Sequence, residues 1–187
     1  MNNLKELTKE QHKNAERSLF IKKLLKQELT PYQYYVYLCN QFLMYTTLEG
    51  YASALGILDG IEEIKRGIAL SKDLQELEKD YGFESPSHLK TTGKYMDHIY
   101  NIREDGDKLL AHIYVRHMGD LSGGQVIKKY VYGSGQHYQF ETDVTELKEK
   151  LREKLHDDMS EEAKLCFDMI KDFMKELESS LDMGQFD

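Results

Sequence analysis

Three glycines fall within six residues, at Gly119, Gly123 and Gly124, inside a run whose two flanks both read as helix. Leu110, Ile113 and Tyr114 precede them, and Val126, Ile127, Tyr130 and Val131 follow, at the spacing of one helix face. A glycine inside a helix costs about 1 kcal/mol relative to alanine. Three of them cost roughly 3 kcal/mol, a large share of a net stability of about 5–15 kcal/mol. One reading ends the helix at Gly119 and places a Gly-Gly loop after it. The other uses the spacing: Gly119 and Gly123, Arg116 and Asp120, and Asp120 and Gly124 are each four apart, and residues four apart share a helix face. That face would carry bare backbone, one carboxylate and one guanidinium. Such a floor lets a planar ligand approach the backbone closely and lets the helix bend over it. No strand precedes the run and no Gly-Lys-Ser/Thr follows it, so it is not a phosphate loop.

The rest of the chain favours an all-α fold. Its 187 residues contain only two prolines and suffice for one domain with a real core, spanning 1–187. Apolar residues make up 40% and charged residues 31%, a globular balance. The net charge of −8 argues against general nucleic-acid binding. Cys39 and Cys166 are too few and too far apart for a disulfide framework or a zinc site, and both sit in apolar helical contexts that predict buried free thiols. The first residues are too polar for a signal peptide, no apolar run reaches membrane-span length, and Gly184–Asp187 carries no tail anchor; the expected location is cytoplasmic.

Predicted helices cover about Asn3–Ser18, Ile21–Leu25, the stretch after Thr30-Pro31 through Tyr51, Ile61–Tyr81, Ser87–Asn101, the organising helix up to Gly133-Ser134-Gly135, a helix from Asp143, and Ser160 to about Leu181. Thr30 reads as an N-cap with Pro31 at the first helical position. The aromatics between Tyr34 and Tyr51 read as core. His88 and His98 show no metal-ligand partner, and His137 reads as a solvated loop residue.

The stretch from Ala111 to Gly124, with His112, Tyr114, Arg116, Gly119, Asp120, Leu121, Ser122 and Gly123, closely resembles the distal-helix signature of the haem oxygenase family. His117 departs from it, standing where that family usually has Tyr or Phe. A second motif resembles the same family's proximal segment: Thr8-Lys9-Glu10-Gln11-His12-Lys13-Asn14-Ala15-Glu16. The resemblance implies a multi-helix bundle holding haem between the first, proximal helix and the Gly-rich distal helix. It implies that His12 ligates the iron through a neutral imidazole, whose other nitrogen needs a partner. Glu16, one turn on, is the candidate partner or else a solvated charge.

Lys148 and Arg152 are a like-charged i,i+4 pair, either a solvated face beside Glu149 and Glu153 or a clamp for carboxylates. In the resembled family a Lys and an Arg so spaced meet the haem propionates, Lys5 matches a further basic residue, and Tyr114 stands near the propionates. Gly119, Gly123 and Gly124 would line the distal floor. Asp120, with Gly119 and Arg116, is the catalytic candidate: its carboxylate would order water on the oxygen-binding face, or form a salt bridge to Arg116, or both. His117 would pack as an aromatic surrogate, add a titratable group, or coordinate iron.

The implied activity is oxidative cleavage of haem, both cofactor and substrate, at the alpha-meso carbon to biliverdin, carbon monoxide and ferrous iron. Oxygen is consumed, and electrons come from a ferredoxin, flavodoxin or reductase, because no flavin or nicotinamide motif is present. A haem carrier or sensor without turnover is the alternative. A di-iron bundle would need two Glu-x-x-His pairs, and only Glu153/His156 is present.

Overall fold

The computed structural model describes residues 3–182, and every regular element among them is helical. The expectation about Gly184–Asp187 lies outside the described residues. In chain order the helices are α1 (Leu4–Leu7), α2 (Lys9–Ala15), α3 (Leu19–Leu25), α4 (Pro31–Ala54), α5 (Gly67–Tyr81), α6 (Lys90–Asn101), α7 (Gly106–Leu121), α8 (Gly124–Ile127), α9 (Val144–Glu153) and α10 (Ser160–Ser180). Short 3-10 turns occur at Glu62–Ile64, Gln136–Tyr138 and Asp157–Met159. No helix among the described residues is long and apolar enough to cross a membrane.

The 24-residue α4 is the axis. Thr30 accepts from Gln33 N at 3.2 Å, and Gln33 Oε1 accepts from Thr30 N at 2.9 Å, a reciprocal cap with Pro31 next to it. Beyond that start α4 buries side chains on several faces, from Tyr34 and Tyr35 to Leu48 and Ala52, as expected of a helix surrounded by others. Helices α5, α6 and α7 pack on it, and α10 covers α7, α6 and α2. The core is contiguous, from Leu4 and Phe20 through Tyr95, Leu109 and Ile113 to Phe173 and Leu177. Cys39 and Cys166 are buried free thiols within it.

Several boundaries differ from the sequence reading. The first helix is distorted at Thr8 (φ −110°, ψ 9°), whose hydroxyl donates to Leu4 O at 2.8 Å. This splits it into α1 and α2, so Lys5 and His12 do not lie on one regular helix. The helix expected from Ile61 is a 3-10 turn followed by α5, which ends where Gly82 adopts φ +68°. Helix α6 starts at Lys90, not Ser87, because the Glu176 carboxylate takes Lys90 N at 3.1 Å and Thr91 N at 2.8 Å, an anion on a helix N-terminus.

The organising helix matches neither sequence reading fully. Helix α7 runs through Gly119 to Leu121, breaks at Ser122 (φ −115°, ψ −87°), and resumes only for the single turn of α8. Residues 128–133 are turns, not the continued helix that the spacing suggested. Full burial of Leu109, Ile113 and Leu121 stabilises α7 by roughly 1.5–3 kcal/mol each. That outweighs the glycine penalty.

Candidate functional site

At the C-terminal end of α7 the glycines divide into two kinds. Gly119 is exposed, and a Cβ added to it would meet nothing within 4 Å. Gly123 is also exposed, and its Cβ would find only the Gly119 carbonyl, at 3.8 Å. Gly124 is the reverse: it is buried, and a Cβ there would sit 2.6 Å from Tyr138 Cδ1. Two of the three glycines therefore present open backbone, while Gly124 lets the 136–140 loop close onto the helix. The expected three-glycine floor is corrected to a two-glycine one.

Asp120 points the opposite way, into the protein. Its Oδ2 accepts from the Tyr45 hydroxyl at 2.7 Å, and its Oδ1 lies 3.3 Å from His137 Nε2. Gln125 Nε2 ties the Asp120 carbonyl (3.1 Å) to that of Tyr138 (3.1 Å). Burial alone would raise the carboxyl's pKa, but the neighbouring His137, with His117 and the Tyr45 hydrogen bond, holds it below the usual range. Asp120 is thus a buried, ionised carboxylate. Burial, with Asp120 second, keeps Tyr45 protonated as its donor.

His137 overturns its expected place in solvent: it is buried at 1% exposure. Asp73 carboxylate oxygens hold Gln136 N at 2.7 Å and His137 N at 2.8 Å. The buried Arg66 clamps the Gln139 carbonyl at 2.6 Å and stacks 3.9 Å over Phe140. Those contacts come from α5 and the turn before it, so no local signal around residue 137 could have announced them.

Arg116 does not pair with Asp120. Its guanidinium donates to Gln41 Oε1 at 3.2 Å and to Met44 Sδ at 3.3 Å, and lies 4.1 Å over the Tyr95 ring. The salt-bridge alternative is thus not formed, and aromatic, amide and thioether contacts on α4 and α6 take its place. Four buried polar atoms lack a hydrogen-bond partner among the described residues: Tyr34 Oη, Arg116 Nε and both His137 ring nitrogens, the His137–Asp120 approach being within ion-pair distance but outside hydrogen-bond geometry.

His117 is fully buried. Its Nδ1 faces the Ile113 carbonyl at 3.2 Å and its Nε2 faces Glu49 Oε1 at 2.8 Å. Both partners are acceptors, so both bonds form only when both ring nitrogens carry hydrogen. Glu49 also accepts from Arg66 N at 2.6 Å and Gly67 N at 3.0 Å, fixing the start of α5. Of the three sequence readings of His117, iron coordination finds no free ring nitrogen, because the imidazole is committed to Ile113 and Glu49.

On the proximal side, His12 stands exposed on α2, edge-on to Phe167 of α10 with ring centroids 5.8 Å apart. Its Nδ1 is 3.4 Å from Glu16 Oε1, and its Nε2 has no hydrogen-bond partner among the described residues. The approach is within ion-pair distance, so Glu16 stands beside one ring nitrogen of His12 and not the other. Lys5 and Arg152 are exposed and Lys148 is half-buried. Tyr114 is buried on α7. Burial raises its pKa, against the Thr8 hydrogen bond and the nearby Arg152 charge, which places the α1–α2 junction and α9 beside this ring. His156, half of the single Glu-x-x-His pair, faces Asp107 at 3.3 Å.

His98 does have partners. Its Nε2 lies 2.5 Å from Glu162 Oε1, which also meets His112 Nε2 at 2.9 Å. The sequence reading missed this cluster because its members are brought together by three separate helices.

A sequence model of the family described as Heme oxygenase matches residues 1–176. Heme oxygenase 2 of Mus musculus is 35% identical over 133 residues, covering 67% of this chain and 42% of that protein. The heme oxygenase of Porphyra purpurea is 30% identical over 139 residues, covering 71% of this chain and 59% of that one. The matches thus span less than two thirds of these curated relatives. Heme oxygenase-1 from the cyanobacterium Synechocystis, solved in complex with heme, superposes with a TM-score of 0.83 at 26% identity, over 96% of this chain and 92% of that one. The heme oxygenase of Leptospira interrogans gives 0.81 at 30% identity, over 92% and 97%. With a signature match over nearly its whole length and the same helical architecture, this chain belongs to the heme oxygenase family.

Proposed function

We propose that this chain is a haem-degrading oxygenase that cleaves haem at the alpha-meso carbon to biliverdin, carbon monoxide and ferrous iron. The observation that carries the reading is the end of α7: open backbone at Gly119 and Gly123 beside the buried Asp120 carboxylate, which the Tyr45 hydroxyl holds. A planar macrocycle fits the first feature and proton management fits the second. Haem supplies, when bound, the iron at which oxygen is reduced and the carbon skeleton that is cut.

The residues divide the remaining work. His12 offers Nε2 to the iron while Glu16 holds Nδ1. Lys5, Lys148 and Arg152, with Tyr114, would pair with the propionates and fix the macrocycle's rotation, which selects the carbon to be cut. Asp120, held by Tyr45 and approached by His137, would order water behind the Gly119 backbone. The orphan groups around it suit that role, since an unsatisfied buried polar group costs about 1–3 kcal/mol. Arg116 adds a fixed positive charge without neutralising Asp120 directly.

Electrons would come from a ferredoxin, flavodoxin or reductase docking on the Lys5, Lys148 and Arg152 edge, an arrangement that suits an acidic partner. The free thiols are compatible with a reducing compartment, and we place the protein in the cytoplasm, with 1–187 acting as one unit.

The test is haem titration of the chain and of His12→Ala, followed by reductant and oxygen. The expected result is haem loss with a biliverdin band in the wild type, and an altered axial-ligand spectrum in the variant. A wild-type haem band that survives reductant and oxygen would assign a carrier or sensor. An unchanged spectrum in His12→Ala would remove the proximal assignment.

A further inference from the structure

We propose that His98, His112 and Glu162 form a second site, separate from the haem residues, that takes a divalent transition ion of zinc's kind. The ligands come from α6, α7 and α10. Their donor atoms, two imidazole nitrogens and one carboxylate oxygen, all lie within 4.8 Å of one another. Both His98 Nε2 (2.5 Å) and His112 Nε2 (2.9 Å) converge on the same oxygen, Glu162 Oε1, while Oε2 has no hydrogen-bond partner among the described residues. Zinc bonds of about 2.0–2.1 Å in a tetrahedron separate neighbouring donors by about 3.3–3.4 Å. An ion at the convergence point would widen the two N···O separations by roughly 0.5–0.8 Å and draw the two imidazole nitrogens to the same spacing.

The surroundings favour a ligand set over a passive hydrogen-bonded triad. The outer nitrogen of His112, Nδ1, is 3.0 Å from the Tyr95 hydroxyl, so the ring is held by its far side with Nε2 directed at Glu162. An outer partner of this kind is what metal-binding imidazoles carry. Burial, against the opposing pull of Glu162, brings His112 down to about 4, so its ring is neutral at pH 7. Glu162, despite burial, is held down to about 2 by its bonds to His112 and His98 and is fully ionised.

Two imidazoles and a carboxylate select a borderline ion such as zinc over calcium or magnesium. The His112 side chain is fully enclosed, while His98 (24% exposed) and Glu162 (13%) open to solvent, which gives an entry path and room for a water to complete the coordination. Arg116, on the Tyr95 ring at 4.1 Å, is the charge that opposes a cation here. It limits affinity without blocking the ligand atoms. An ion at this point would tie α6 and α10 to α7, two turns before Asp120.

Zinc chloride titrated into the full chain, followed by calorimetry, and cobalt(II) substitution, followed by visible d–d absorption, test the site without reference to turnover. We expect one ion per chain, a cobalt band of a nitrogen–oxygen site, and a Tm that rises with zinc concentration. His98→Gln, whose amide keeps a donor for Glu162, should fold and lose at least about 10-fold in affinity. Glu162→Gln should lose the cobalt band. His12→Ala should bind zinc as the wild type does. A folded wild type that takes up no stoichiometric zinc would leave only a hydrogen-bonded triad and overturn the proposal. Equal uptake by His98→Gln, or loss of uptake in His12→Ala, would place the ion elsewhere and overturn it equally.

Discussion

The two helices expected to face haem are built in opposite ways. Helix α2, with His12, buries none of its residues, and the His12 and Glu16 side chains are 56% and 65% exposed. Helix α7 is buried along most of its length and grips Arg116, His117 and Asp120 through side chains from α4 and the 136–140 loop. A group whose position is over-determined by packing can act on a developing charge without first reorganising. A half-exposed imidazole with a single carboxylate partner cannot be equally fixed. On the proposed reading, the difference would put chemical precision on α7 and leave α2 to be ordered by the haem that His12 would ligate.

The largest effect should come from breaking the distal half alone. Asp120→Asn keeps the shape and an acceptor for Tyr45 but removes the charge. Turnover should fall by about 10²–10³-fold, the scale for losing one preorganised group, while haem affinity and axial ligation stay as in the wild type. Haem titration and single-turnover absorbance separate the two quantities. If Asp120→Asn weakens haem binding as severely as His12→Ala, the division of labour between the two helices is wrong.

Acid should test the buried side of that comparison through stability. Burial depresses His112 from 6.5 to about 4, so as pH falls from 6.5 the unfolded chain takes up a proton that the folded chain refuses. Stability is fully present above about 6.5 and declines towards pH 4, by up to about 1.4 kcal/mol per pH unit. Glu162, lowered from 4.5 to about 2, adds a second loss between those values as its carboxylate is finally protonated. Urea midpoints measured between pH 7 and 3 should fall accordingly, and His112→Asn should flatten the upper part of the curve.

Most of what was legible in this protein is local, although the Thr8 split of the first helix and the break at Ser122 escaped as well. Caps such as Thr30-Pro31, the apolar stripes, the buried thiols and the end of the last helix near Ser180 follow from neighbours in sequence. The rest of what escaped depended on distant chain. His137 looks solvated until Asp73 and Arg66 pull its loop down on Asp120. Arg116 and Asp120 are four apart and oppositely charged, yet each finds better partners across the α4 interface. The His98–Glu162–His112 cluster joins three helices, and no spacing rule reports that. Gly124 carries the same sequence signal as Gly123, and only Tyr138 tells them apart.

That glycine contrast supplies the finest test. At Gly119 the backbone φ is not positive and an added Cβ would touch nothing, so nothing in the folded chain requires glycine there. Gly119→Ala should therefore stabilise the haem-free protein, by up to about 1 kcal/mol through helix propensity and a less flexible unfolded state. If the open backbone serves a planar ligand, the same methyl group should weaken haem binding, so that stability and affinity move in opposite directions. At Gly124 the added Cβ would clash with Tyr138, and alanine should destabilise the protein instead. Urea denaturation and haem titration of both variants decide the matter. Were Gly119→Ala to stabilise the fold with no loss of haem affinity, the bare floor would have no ligand to explain it.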